Sequence, residues 1–393
     1  VDSTALFSGF MVKETTTGII CEGDIRLRNL IVRDNTHHGI HFTSSEATLR
    51  NSIVFGNITN SVAGAGIRIE SSSNIKLINV VIDSNRNLVT GGGGIAIESS
   101  TVTMDSCQVI ENISYSQGGG IFTASSGVLT IKNSIIIGNQ GSNEGGGIFL
   151  SNAQLNLINV KVDSNQAGSG GGGIYKDNVG GIDASESTFN FNSTITGQGG
   201  GLFLDTYDAN FSNCEIIGNE ALIRGGGLYF YQSSDQHVGN FNNVIIAENS
   251  VVGSTSHNDG GGGMWIANSY DLNLVNVTVV NNSAGQSNGG GIWRAAGVID
   301  IVNSIIWFNA AAGDSSINDH SELIITYSDI EGGYEGENNI NAHPLFCNAD
   351  SSDFTLYNTS PCLGTGQDGG NMGALGIGCY EDYAGPTWYV SVD

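Results

Sequence analysis

Proline is almost absent from this chain, with 3 in 393 residues, and lysine and arginine together number only 13. So few cations cannot neutralise a phosphate backbone, and the net charge of −25 excludes nucleic acid as a partner. No apolar run reaches the roughly 18 residues of a membrane-spanning helix. Charged residues are sparse, at 13 %, beside 39 % hydrophobic residues, a balance that excludes disorder. No secretory leader is visible at Val1, as expected of a mature secreted chain or of an excised fragment. Cysteines number 6. Cys347, Cys362 and Cys379 crowd the C-terminal segment and point to a disulfide and an oxidising compartment, with the pairing open.

What the chain has in excess is glycine, 58 residues, and asparagine at a nearly fixed interval. Aligned on the Asn that closes each apolar run, the copies end at Asn35, Asn57, Asn85, Asn112, Asn139, Asn165, Asn192, Asn219, Asn249, Asn282 and Asn309. Weaker copies end at Glu14 and Gly333. Most steps are about 26–28 residues, and a fixed period of that size is the signature of a solenoid. The position three before the closing Asn is apolar (Ile136, Val162, Phe189) and the position five before is small or aliphatic (Ser134, Val160, Ser187). Alternation at period two marks a strand whose alternate side chains face inward. A second column, including Asn51, Asn79, Asn133, Asn159 and Asn213, lies six before the closing Asn. Asn tolerates left-handed backbone and its amides stack, so both columns are expected to form corner ladders.

The other half of each turn starts at glycines, such as Gly118–Gly120, Gly145–Gly147 and Gly199–Gly201, each run followed by an aliphatic residue. A phosphate-cradling loop would lead into a helix and usually a Lys. Neither follows here, so these are tight corners. The predicted fold is all-β: a right-handed parallel β-helix of about 13 turns with a short C-terminal capping segment. Left-handed solenoids carry a hexapeptide period, which is absent. Rungs roughly 4.8 Å apart make a rod of roughly 60 Å. Cys107 and Cys214 share a column four turns apart, too far for the ~7 Å limit of a disulfide, and are expected to be buried free thiols. The solenoid is expected over residues 1–333, the capping segment over 334–385, and a strand-like tail over 386–393.

The GG-G/A-I and apolar-x-x-Asn repeats over about residues 39–309 resemble those of polymorphic outer-membrane protein adhesins. The segment from Ala342-His343-Pro344-Leu345-Phe346-Cys347 through Ser360-Pro361-Cys362 and Asn371-Met372-Gly373-Ala374 to Cys379 resembles the closing segment of large secreted bacterial β-helix proteins. The tail Thr387-Trp388-Tyr389-Val390-Ser391-Val392-Asp393 is similar to the opening strand of another such domain, and Val1–Leu6 enters directly into a repeat. These resemblances imply a secreted, surface-exposed protein. With the bare ends they lead to the expectation of a tandem segment, or of a subunit that stacks end to end.

Three places are candidate sites. The residue after the post-glycine aliphatic forms a column of Phe122, Phe149, Tyr175, Phe203, Tyr229, Trp265 and Trp293. Alternation turns these rings outward, and an exposed aromatic stripe is a binding surface for sugars or partners. Lys176 and Arg294, one step further on, raise the question of whether alternation survives there. On the outer face of the closing strand, where Ile31, Ile53, Val81, Ile135, Ile245 and Ile305 lie, one polar patch breaks the pattern: Lys161, Asp163, Thr188, Asn190 and Glu215. Carboxylates beside a cation suit the proton abstraction of a Ca²⁺-assisted polysaccharide lyase or epimerase, the enzymatic alternative. A surface ion pair is the simpler account of the patch. Third, Arg26, Arg28, Arg33, His37, His38 and His41 form a basic cluster at the N-terminal end, suited to an acidic polymer or to the acidic C-terminal end of another copy. Residues 1–86 carry 8 basic and 8 acidic side chains, and residues 295–393 carry 14 acidic and no basic ones. The loop from Asp329 to Glu337 is acidic enough for weak Ca²⁺ binding; otherwise no cofactor, metal or catalytic set is expected.

Overall fold

The computed structural model describes residues 5–206, 208–231, 237–256, 258–267, 270–312, 316–319 and 323–380. Val1–Thr4, the expected tail at 386–393 and the last residues of the expected capping segment lie outside them. The described chain is a parallel β-helix with three faces. A long face forms a 21-stranded sheet, a short face an 8-stranded sheet and the face that follows the glycines a 12-stranded sheet.

One turn shows how the sequence builds all of them. Val128–Lys132 and Ile135–Ile137 lie on the long face, Gln140–Gly141 on the short face, and Ile148–Ser151 on the third. Ile136 and Ile148 are fully buried, and their counterparts one turn on, Val162 and Ile174, stack on them in register. The core is therefore one aliphatic column per inward position, with Cys21, Cys107 and Cys214 buried in it as free thiols.

The two asparagine columns differ in kind. The second column does take left-handed backbone: Asn51, Asn79, Asn133, Asn159 and Asn213 have φ of 48°, 52°, 48°, 53° and 52°. The closing column does not, which corrects the expectation that both would. There the left-handed residue is the one before the Asn, such as Ser84, Glu111, Ser164 or Phe191. That twist turns the closing Asn into the rod. Asn139 Nδ2 donates to Asn165 Oδ1 at 2.9 Å in the next turn and to Val109 O at 2.9 Å in the previous one. Asn139 Oδ1 accepts from the backbone N–H and the amide of Asn112. The same buried bond runs from Asn35 to Asn309, tying each turn to both neighbours.

The glycine corners are as constrained. A Cβ on Gly146 would stand 2.3 Å from Gln166 O and 2.5 Å from Gly172 O, so the turns approach there as bare backbone.

The C-terminal segment lies along the flank of the last turns. Its strands Phe346–Asn348, Asp353–Tyr357 and Ile377–Cys379 form a small sheet, closed by a Cys347–Cys379 disulfide. Phe346, Phe354, Leu356 and Met372 cover Ile245, Val280, Ile305 and Trp307 of the long face. Ile53, in the same outer column, is 40 % exposed where no segment covers it.

Candidate functional site

The ring column is the most regular feature outside the core. Successive centroids from Phe122 to Trp293 lie between 4.4 and 5.4 Å apart, and five of the six contacts are parallel stacks. The rings do turn away from the core, as alternation requires. They do not form the exposed stripe expected of them: Phe149, Phe203, Tyr229, Trp265 and Trp293 are buried, and Phe122 and Tyr175 half-buried. The physical reason is the inter-turn spacing, which is close to the thickness of a stacked ring pair, so each face is covered by the next ring. The glycines complete the cover. A Cβ on Gly170 would press on the Tyr175 ring at 3.2 Å, and one on Gly289 would meet Trp293 Cβ at 2.9 Å. Arg224 lies over Trp265 at 4.9 Å while paired with Asp259 at 2.5 Å.

Alternation also survives at the next position. Lys176 and Arg294 are 0 % and 1 % exposed, inside the rod. Lys176 Nζ donates to the carbonyls of Asp177, Asn178 and Val179 at 2.8–3.2 Å. Burial lowers its pKa to about 8. Arg294 donates likewise to the carbonyls of Ala296 and Gly297. These cations cap turn carbonyls, a use that the sequence pattern does not announce.

The polar patch is brought together by register: Lys161 bridges to Thr188 and Thr188 to Glu215 on successive turns. Its groups serve the rod. Asp163 accepts from Thr188 Oγ1 at 3.0 Å and from the Asn190 N–H at 2.9 Å, and Asn190 Oδ1 accepts from the Ile217 N–H at 2.9 Å. Burial pushes the Asp163 carboxyl up, opposed by those donors. Lys161 and Glu215 are exposed, and no ion pair joins Lys161 to Asp163. No three His, Cys, Asp or Glu converge as metal ligands among the described residues. Asp329, expected in an acidic loop, is buried and accepts from the Cys362 thiol at 3.1 Å and from the Ala342 N–H at 3.1 Å.

The basic cluster divides between two faces. His38 and His41 lie on the strand His38–Thr43 of the ring-bearing sheet. Burial lowers His38 to about 4, with its ring N–H donated to Gly64 O at 2.6 Å, and His41 sits 2.8 Å from Glu70. His37 is also lowered by burial, and Arg33 pairs with Asp34 at 3.0 Å. What remains is Arg26 and Arg28 on the long face, joined by two residues that sequence reasoning missed. Arg28 is in register with Arg50, and Lys76 with Thr48 beside Arg26. The signal was present, because all four occupy outward positions of the same two columns. Together with Leu6 they line a trough of about 450 Å³; a smaller adjoining depression also contains Asp24 and Glu46.

The same outward column continues as hydrogen-bonding residues at least to Asp300. From Asn156 it runs through Asp183, Asn210, Asn240 and Asn273 in unbroken register. Asn210 donates to Asp183, Asn240 to Asn210 and Asn273 to Asn240, each at 2.8 Å. This exposed amide ladder borders a trough of about 490 Å³.

With this geometry in hand, a family model for the right-handed β-helix region matches residues 17–189. The chain is a right-handed parallel β-helix. No curated protein matches it. The match covers the turns that carry the four cations of the trough, the rings Phe122, Phe149 and Tyr175, and Lys161, Asp163 and Thr188 of the patch, and it concerns their architecture.

Proposed function

We propose that this β-helix is a non-catalytic extracellular rod, structural or adhesive, that associates end to end with tandem or separate copies. The observation that carries this reading is the use made of its polar groups. In the polar patch of the outer face, Asp163 and Asn190 accept backbone N–H groups of neighbouring turns. The Asn ladder, ring stack and glycine column likewise spend their chemistry on holding one turn to the next. Such continuity makes a stiff rod, and a head-to-tail contact that does not close makes a filament. Negative-stain images of the full chain test it. Fibres with an axial repeat near the rod length are expected, and monodisperse single rods at every concentration would count against it.

A second reading is a glycan-binding module, favoured by the amide ladder rather than by the rings. Its amides are held in place by one another and keep further donors and acceptors toward solvent, as preorganised recognition of hydroxyls needs. Binding to a glycan array that is lost in Asn210→Leu and kept in Trp265→Phe would select it. The lyase or epimerase alternative predicts release of unsaturated uronates that disappears in Lys161→Ala.

A further inference from the structure

The four cations of the N-terminal trough stand in an arrangement that costs stability. Arg28 and Arg50 are direct register partners, and like charges opposite one another in a sheet repel. None of Arg26, Arg28, Arg50 and Lys76 forms an ion pair among the described residues, although the chain has 38 carboxylates available. All four are exposed.

The opposite end of the same face carries the complement. The last described rung of the long face, Leu323–Thr326, continues the columns of Arg26 and Arg28. An acidic loop hangs from it. Tyr327 N–H donates to Glu337 O at 2.8 Å, Tyr327 Oη donates to the Glu337 carboxylate at 2.9 Å, and Asn339 Nδ2 donates to Ile325 O at 2.8 Å. Glu331, Glu335 and Glu337 are exposed, and no lysine or arginine occurs after Arg294.

We propose that the trough of Arg26, Arg28, Arg50 and Lys76 is the docking surface for the acidic Glu331–Glu337 loop of a second copy. The proposal rests on the end-to-end reading above and names the contact that sets its polarity and rotation. When two rods abut head to tail with their long faces aligned, the loop of one meets the cations of the next, because the rung that anchors the loop continues the two columns that carry the cations. A rod rotated to the ring-bearing face places the loop against His41 and Arg68, which already pair with Glu70 and Glu98, and loses the attraction. Electrostatic complementarity of this kind fixes register and speeds encounter more than it adds affinity. The contact is exposed, so salt weakens it, with a screening length of ~10 Å at 0.1 M.

The test is a reciprocal charge reversal on the full chain, read by sedimentation velocity and light scattering at about 0.05 M and about 0.5 M salt. One variant carries R26E, R28E and R50E; the other carries E331K, E335K and E337K. Circular dichroism checks that both keep the β-helix. Each alone is expected to self-associate at least ~10-fold more weakly than the native chain at low salt. Mixed together, the two are expected to recover association as an alternating copolymer, since each junction is then between opposite charges. If the native chain associates and both variants associate equally well, this surface is wrong and the end-to-end reading stands. If the native chain never associates, both fail. Binding of a sulfated polysaccharide to the trough without self-association would overturn the proposal in favour of a polyanion.

Discussion

Replacing Asn165 by alanine removes the most heavily used side chain of a single turn. Asn165 Oδ1 accepts from the backbone N–H of Asn139 at 3.0 Å and from its amide at 2.9 Å. Its Nδ2 donates to Ile136 O at 2.8 Å and to Asn192 Oδ1 at 3.1 Å. Truncation therefore deprives the Asn139 N–H, the Ile136 carbonyl and the Asn139 and Asn192 amides of partners in a place that water does not reach. Leaving a buried polar group unpaired costs about 1–3 kcal/mol. With some groups keeping a second partner, the loss should total roughly 3–6 kcal/mol. The comparison is Asn210→Ala, which removes two exposed amide bonds of similar length and should cost below about 1 kcal/mol. Urea unfolding followed by circular dichroism measures both. Because each turn contacts only its neighbours, the Asn165 variant should also split the transition, with the two halves of the rod melting apart. Equal losses for the two variants, or a loss below about 1 kcal/mol at Asn165, would refute the assignment of stability to the buried ladder.

Further outcomes follow from other columns. Burial pushes the thiols of Cys107 and Cys214 up to about 11, above the ordinary 9, so their contribution is complete below pH 9 and is lost as pH rises through 11. Ser occupies the same position in other turns (Ser134, Ser187), so Cys107→Ser should fold normally and show a smaller drop in unfolding midpoint between pH 8 and pH 11. Trp265→Ala opens a gap between Tyr229 and Trp293 and should cost about 3–5 kcal/mol, measured by thermal unfolding. Asp329 is raised by burial to about 6 from 3.8, so it stabilises the protonated fold below pH 3.8 and that gain disappears as pH rises through 6. Asp329→Asn should remove this acid-side gain and raise stability at pH 7; an unchanged profile between pH 4 and 7 would contradict the burial of that carboxyl.

The repeat period, the period-two alternation and the glycine runs determined the β-helix, because each rung must bury the same positions and close the same corners. The inward positions, the free thiols at Cys107 and Cys214 and the left-handed column at Asn133 and Asn159 were all legible one turn at a time. What needed the third dimension was every question of cover. Alternation says that Phe149 leaves the core, but only the stacking distance decides that its face meets Phe122 and Tyr175 rather than solvent. The same rule places Lys176 and Arg294 inward against their charge, because nearby turn carbonyls replace water. The polar patch was legible as a group, yet the partners of Asp163 are backbone amides, whose positions no side-chain pattern records. The cationic trough joins Arg26, Arg28, Arg50 and Lys76 from three different turns. Their offsets from the closing Asn repeat, so the two columns could be read along the chain, but the trough that they line together with Leu6 exists only where the rungs stack.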